Sequence, residues 1–277
     1  MKKLMVVVLA LAMTVSAFAS GKKDEKNGLD AIKQAGIIRI GVFSDKDPFG
    51  YVDANGEYQG YDVYFARRIA KDLLGDETKV QLVPVEAASR VEYLQSNKVD
   101  IILANFTVTP QRAEVVDFAL PYMKVALGIV SSDADPITDI SQLEGKKLIV
   151  DKGTTAEQYF TENYPQIELL KFDQNTEAFN ALLDGRGAAL AHDNTFLFAW
   201  AVQNPGFTTT IESLGSLDTI APAVRKGNKA LLDWLNEEIR SGVGSTFFHD
   251  DYKATLLPVY GDTVDPESVV VENGVIK

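Results

Sequence analysis

Apolar residues along the chain switch between strand-like runs and helical spacing, and that alternation sets out the architecture before any single residue does. Residues 37–42 form an apolar run that predicts a buried strand. Tyr51-Val52-Asp53 and Glu57-Tyr58-Gln59 flank Ala54-Asn55-Gly56, and Asn-Gly between such segments marks a tight hairpin. Asp62 then stands where a helix N-cap is expected, ahead of Ala66, Ile69, Ala70 and Leu73 at helical spacing, with Gly75 as the stop. The order repeats as strand 80–85, helix 89–95 and a short buried strand at 101–104. Beyond these come strands at 125–130, 147–150, 169–172 and 188–191, with helices opening at Thr154-Thr155, running over 176–183 and beginning at Asp193-Asn194-Thr195. Strands alternating with helices imply parallel sheets covered on both faces, in two series that divide near residue 122. After residues 220–224, helices at 229–240 and 245–252 either extend the second series or return to cover the first, and periodicity does not decide which.

The first residues bear on where the chain works. Met1, Lys2 and Lys3 precede an apolar run over 4–15, and Ala17-Phe18-Ala19 supplies the small-x-small pattern that signal peptidase accepts. Residues 1–19 are therefore expected to be a signal peptide cleaved after Ala19. At about 12 residues the run is short of the roughly 20 that a membrane span requires. Residues 20–27 are polar and read as a tether. The chain has no cysteine, which excludes disulfides, thiolate metal sites and a lipid-bearing cysteine at the cleavage point, where Ser20 stands. A periplasmic protein without a lipid anchor is expected. Cleavage removes Lys2 and Lys3 and no acid, so the net charge moves from −12 to −14. Nucleic acid and anionic membranes are poor partners for such a chain.

Candidate chemistry lies where strands end. Asn105-Phe106-Thr107-Val108-Thr109-Pro110-Gln111-Arg112 follows an apolar strand, and Thr-Pro suits the N-cap and first position of a new helix. Groups at the carboxyl ends of strands face the crevice where open α/β sheets bind ligands. Thr107 would offer its hydroxyl and amide there, and Arg112 a fork suited to a carboxylate, unless Arg112 lies solvated on a capped surface helix. Asp151-Lys152-Gly153-Thr154-Thr155 is a second strand-to-helix turn, whose free amides can receive an anion, although it lacks phosphate-loop spacing. Asp193 can cap its helix or meet an ammonium group across a cleft. His192 beside it is expected to point to the opposite face, as packing. No metal, cofactor or nucleophile pattern appears. One arginine and one aspartate, in different halves of the chain, complement an amino-acid zwitterion.

These residues also carry a resemblance. Ile38-Arg39-Ile40-Gly41-Val42, Pro48-Phe49-Gly50-Tyr51, Gly60-Tyr61-Asp62, Val99-Asp100-Ile101, residues 107–112, Val116-Asp117-Phe118, Pro121-Tyr122, Gly153-Thr154-Thr155 and His192-Asp193 stand in order over the chain from Leu29 onward. In these the chain resembles the family 3 extracellular solute-binding proteins of polar amino-acid ABC importers. Through Val85-Glu86-Ala87-Ala88-Ser89-Arg90 and Ile102-Leu103-Ala104-Asn105-Phe106-Thr107 it looks closest to the cysteine-binding branch. The resemblance implies an α/β, two-lobed periplasmic binding protein fold (type II) with two crossing hinge strands. Lobe 1 would comprise residues 28–122 plus 221–277, lobe 2 residues 127–217, and the hinge residues 123–126 and 218–220. The last two helices would complete lobe 1. Arg112 would clamp the ligand carboxylate, helped by Thr107 and the backbone of Thr154 and Thr155. Asp193 and the carbonyl of Asn105 would hold the ammonium, Phe49 would lie over the ligand side chain, and Arg90 and Tyr51 would border the same pocket. Pro48 follows Asp47 where the family often has a second proline.

The resemblance further implies a monomer that presents an amino acid, cysteine favoured, to the membrane subunits of an ABC importer, with no cofactor and no metal. Two rivals share the fold: a dehydratase-like enzyme drawing on Glu86, Glu157 or Asp45 as acid or base, and an amino-acid-sensing binding protein.

Overall fold

The computed structural model describes residues 28–276. The expected signal peptide, its cleavage after Ala19 and the tether fall at residues 1–27, outside the described residues. A short helix α1 (Leu29–Ala35), which the hydrophobic pattern does not predict, leads into β1 (Ile38–Val42). Ile38, Ile40 and Val42 of that strand are wholly buried. Strands β2 (Asp45–Lys46), β3 (Gly50–Val52) and β4 (Tyr58–Gln59) form a small antiparallel sheet. The predicted hairpin is its β3–β4 half, and β2 adds itself to the far edge of β3.

Helix α2 (Tyr61–Leu74) ends at Gly75 in the left-handed region, as expected. Its start differs from the expectation. Gly60 occupies the N-cap position and Asp62 lies inside the helix, fully buried. The Asp62 carboxylate accepts from the backbone N–H of Asn105 at 2.8 Å and from the Tyr122 hydroxyl. A cap satisfies its own helix; Asp62 instead supplies acceptors to two buried donors from elsewhere in the fold, which are costly to leave unpaired.

The chain continues through β5 (Val80–Pro84), α3 (Arg90–Gln95), β6 (Ile101–Ile102), α4 (Pro110–Val115) and β7 (Val116–Phe118). It crosses on β8 (Met123–Ser132) to β9 (Lys147–Asp151), α5 (Thr155–Asn163), β10 (Glu168–Phe172), α6 (Asn175–Leu183), β11 (Ala189–Asp193) and α7 (Asn194–Gln203). It returns on β12 (Phe207–Ile220) to β13 (Ala223–Arg225) and α8 (Lys229–Glu237), followed by shorter helical segments.

Two five-stranded sheets result, in the orders β5-β1-β6-β13-β7 and β10-β9-β11-β8-β12. Neither is wholly parallel, contrary to the expectation from strand–helix alternation. Strands joined by helical crossovers do run parallel, as β1 does with β5 and β6, and β9 with β10 and β11. Strands that carry the chain between the sheets run against their neighbours: β8 against β11 and β12, and β13 against β6 and β7. Where β8 and β12 pass between the sheets they pair as Met123 with Ile220, Lys124 with Thr219 and Val125 with Asp218. Register shifts further along β12 bend it, as bulges do.

The C-terminal segments pack on the first sheet's side. Phe248 lies 5.0 Å from the Phe65 ring of α2 and stacks on Tyr122 at 5.7 Å, and Phe247 also meets Phe65. Buried aromatic pairs of this kind each add about 0.5–1.5 kcal/mol beyond the area they bury. Among the described residues no helix is long and apolar enough to cross a membrane.

Candidate functional site

The carboxyl ends of both sheets meet where the two halves touch, and strand-to-helix turns supply several of the contacts there. Thr109 caps α4, its hydroxyl accepting from the Arg112 N–H at 3.2 Å, with Pro110 at the first position. The cap aims Arg112 inward instead of leaving it solvated. Its terminal nitrogens donate to the Thr107 carbonyl at 2.7 Å and, across the lobes, to the Gly153 carbonyl at 2.8 Å, and its guanidinium packs 4.7 Å from the Phe106 ring. Two of five N–H donors are thereby used, which leaves three for another acceptor. Burial draws its pKa down to about 10, so it stays protonated at neutral pH.

Arg90, at the start of α3, is buried and spends its donors on carbonyls: Ala87 at 2.9 Å, Ala104 at 3.0 Å, Asn105 at 3.3 Å and, across the lobes, Gly153 at 3.1 Å. Burial pushes its pKa well down, and the neighbouring Arg112 adds to this. Among the described residues neither Arg90 nor Arg112 has a carboxylate within ion-pair distance. The Asn105 carbonyl, expected to accept from a ligand ammonium, already accepts from Arg90.

On the second sheet, Thr154 caps α5: its hydroxyl donates to the Asp151 carbonyl at 2.6 Å and accepts from the Glu157 N–H at 3.2 Å. Glu157 in turn accepts from the Gly153 N–H at 2.7 Å. The turn is thus partly self-satisfied, and the first-turn amides of Thr155 and Ala156 are the donors it leaves for an anion.

Asp193 stands at the N-cap position of α7 but makes no capping bond. Its carboxylate is buried and accepts from the Lys46 ammonium at 2.7 Å, a pairing between lobes that the sequence reading missed. Burial alone would raise the Asp193 carboxyl, yet Lys46 and His192 outweigh it and hold it far below the usual carboxylate range. Lys46, 1% exposed, also donates to Asn105 Oδ1 at 2.8 Å and lies 5.1–5.7 Å from the rings of Phe43, Phe49 and Phe196. Phe49 therefore faces a cation of the protein's own. Burial lowers the Lys46 pKa, and Asp193 offsets part of this.

The neighbours of Lys46 cross the same gap. Asp45 accepts from the Asn175 side chain at 2.9 Å and the Thr176 N–H at 3.2 Å, at the start of α6, and Asp47 accepts from Gln203 at 3.3 Å. Tyr51, by contrast, lies part-exposed on β3 opposite Asp45 and Gln59, and no side-chain bond among the described residues links it to the other candidates.

His192 is buried edge-on to Phe196, as packing requires, but it does not turn its back on Asp193. The strand ends as Asp193 turns into α7, and the Asp193 N–H donates to His192 Nδ1 at 2.7 Å. A neutral His192 thus carries its proton on Nε2, 3.6 Å from Asp151. Neither carboxylate oxygen of Asp151 has a hydrogen-bond partner among the described residues, and burial, reinforced by Asp45, lifts its pKa to about 7. The Asp62 carboxyl rises to about 6 by burial, against the bonds from Tyr122 and Asn105.

Cavity size does not single out this site. A cavity of about 680 Å³ lies by the crossing strands, between Phe198 and Val202 of α7 and Val264 and Val269, and neither Arg112 nor Asp193 lines it. Cavities of about 300 and 310 Å³ flank the interlobe contact, one walled by Arg112, Gly153 and Thr154, the other by Phe43, Asp45 and Asn175. Charge and convergence, rather than volume, mark the cleft.

Comparison with known proteins bears on the family and the fold. The chain superimposes on a solute receptor for L-cysteine from Neisseria gonorrhoeae with a TM-score of 0.87 and 59% identity, covering 88% of this chain and 100% of that one. A cysteine-binding protein from Campylobacter jejuni gives a TM-score of 0.87 and 58% identity, covering 88% and 98%. The ABC transporter glutamine-binding protein GlnH of Bacillus subtilis (strain 168) is 34% identical over 254 residues, 89% of this chain and 92% of that protein. Residues 38–243 match the profile of one family, and with it the two-lobed fold: the chain belongs to the bacterial extracellular solute-binding proteins, family 3.

Proposed function

We propose that this chain binds an amino acid, with L-cysteine favoured, in the cleft between its lobes and presents it outside the cytoplasm to the membrane subunits of an ABC importer. One observation carries the reading: a cation from one lobe, Arg112, and an anion from the other, Asp193, stand near enough at the interlobe contact for their charges to act on each other, each with hydrogen-bonding capacity to spare. A zwitterion bridges such a pair. Arg112 and the amides of Thr155 and Ala156 would take the carboxylate, with Thr107 and Thr154 shaping that end. Asp193 would take the ammonium on Oδ1, beside the oxygen that Lys46 occupies. Asn105 and Arg90 would frame the pocket, Phe49 would line it, and Tyr51 would lie at its margin. The likeness to two cysteine receptors favours cysteine over larger side chains.

The lobes would be residues 28–122 with 221–277, and 127–217, closing about 123–126 and 218–220. Binding without turnover is the reading that family membership supports. Asp45 is bonded at the start of α6, and Glu157 is held by the Gly153 N–H and Lys171. Export with cleavage after Ala19, a periplasmic location without a lipid anchor, and a monomeric state complete the proposal. A thermal-shift panel of the twenty amino acids plus cystine tests it. L-cysteine should give the largest rise in Tm, whereas no rise with any of them removes the amino-acid reading.

A further inference from the structure

We infer that Lys46 is the specificity-determining residue of this cleft: its ammonium meets the ligand side chain, selecting a short side chain that ends in an anion or acceptor and refusing a cationic one. This rests on the proposal that Arg112 and Asp193 hold an amino-acid backbone in the cleft. Lys46 touches two residues of that pocket directly, Asp193 at 2.7 Å and Asn105 at 2.8 Å, and Phe49 is one of three rings around it. Its position is fixed from both sides, because Asp45 before it and Asp47 after it are each bonded to the opposite lobe. The ammonium is therefore a preset group in the cleft rather than a mobile surface charge.

The charge of the Lys46 ammonium gives the direction of selection. Lys46, Arg90 and Arg112 bring three cations to the interlobe contact, and only Lys46 has a carboxylate in contact there. The guanidiniums rest on carbonyl oxygens, which supply acceptors but no full negative charge. A zwitterionic backbone brings no net charge to the Lys46 ammonium. A thiolate or carboxylate side chain pairs with that ammonium, and a guanidinium or ammonium side chain sets like charges together in a buried setting, where that is costly. An ammonium has three donors, and two of those on Lys46 are spoken for, so one remains for the ligand.

Calorimetric titration of the full-length mature protein with L-cysteine, L-2-aminobutyrate, L-serine and L-arginine tests the inference. Aminobutyrate keeps the backbone and replaces the sulfhydryl with a methyl group. The wild type should prefer cysteine over aminobutyrate by about 10-fold or more, the worth of one charge-assisted hydrogen bond. Arginine should bind at least about 100-fold more weakly than cysteine. In Lys46→Met the cysteine-to-aminobutyrate ratio should fall to within about threefold, and the arginine gap should narrow by about tenfold. Lys46→Gln, which keeps a donor to Asp193, provides the same comparison should the methionine variant melt early. A wild type that binds arginine or aminobutyrate as tightly as cysteine overturns the inference without any variant. So does an unchanged ratio in both variants, or an equal gain in affinity for every ligand, which would make Lys46 a competitor for Asp193. A wild type that binds none of the panel removes the amino-acid reading itself, and the inference with it.

Discussion

Replacing Gly153 with alanine should block closure of the lobes while leaving each lobe folded. Gly153 has φ +73°, and a Cβ built there would lie 2.5 Å from the Ala88 Cα, 2.7 Å from the Ala88 N and 3.0 Å from the Ala87 carbonyl carbon, all in the opposite lobe. Carbon atoms pack best at about 3.5–4.0 Å, so the lobes must part by about 1 Å. That separation stretches the bonds from Arg90 and Arg112 to the Gly153 carbonyl, now 3.1 and 2.8 Å, to about 4 Å, beyond hydrogen-bond range. Hydrogen bonds to charged donors are each worth about 1.5–3 kcal/mol, and water entering the gap restores part of two such bonds. The closed, liganded state should lose about 2–4 kcal/mol, or roughly 30- to 1,000-fold in affinity. The positive φ itself costs an alanine about 1–2 kcal/mol in the open and closed states alike. Gly75→Ala isolates that cost, since Gly75 has φ +78° with nothing within 4 Å of its built Cβ. Calorimetry with L-cysteine and thermal melts of both variants give the comparison: both should lose similar stability, and Gly153→Ala alone should lose affinity. Gly153→Ala binding within about threefold of the wild type would refute the reasoning.

Further outcomes follow from other parts of the site and core. Arg112→Ala and Asp193→Asn should each weaken ligand binding by about 2–5 kcal/mol, because each strands an opposite charge in a buried setting; calorimetric losses below about 0.7 kcal/mol contradict those roles. Asp151 has its pKa raised from 3.8 to about 7, so the folded protein bears a cost of ionising it that sets in above about pH 4 and is complete above about pH 7. Asp151→Asn should therefore raise Tm at about pH 8, by up to the equivalent of about 4 kcal/mol, and leave it unchanged near pH 4; an equal shift at both contradicts the assignment. Phe248→Ala removes a ring packed on Phe65 and Tyr122 and should cost about 3–5 kcal/mol in urea unfolding, and a loss below about 1 kcal/mol would mean that the C-terminal helices contribute little to the first lobe.

What the sequence made legible was local in origin. The cap at Thr109-Pro110, the hairpin at Asn55-Gly56, the stop at Gly75 and the cap at Thr154 each depend on residues within about one turn, and each stands where it was expected. Arg112 and Asp193 were legible as candidates because both follow the ends of strands, where side chains face a crevice. Lys46 was not. Between Asp45 and Asp47 it reads as part of a solvated charged run, and its burial depends on Asp193, 147 residues away. Asp62 was misassigned for the same reason, since its partners Asn105 and Tyr122 lie far along the chain. The mixed sheets followed from where the chain changes lobes at Met123 and Ile220, a property of the route that no strand pattern encodes.

The central claim is that one ligand spans the lobes by its two backbone charges, and analogues that lack one of them test it directly. Cysteamine is cysteine without the carboxylate, and 3-mercaptopropionate is cysteine without the ammonium. Titrated calorimetrically into the mature protein, L-cysteine should bind, and both analogues should bind at least about 100-fold more weakly, since each leaves Arg112 or Asp193 without the ligand charge that faces it. Either analogue binding within about threefold of L-cysteine would contradict a clamp built from Arg112 and Asp193.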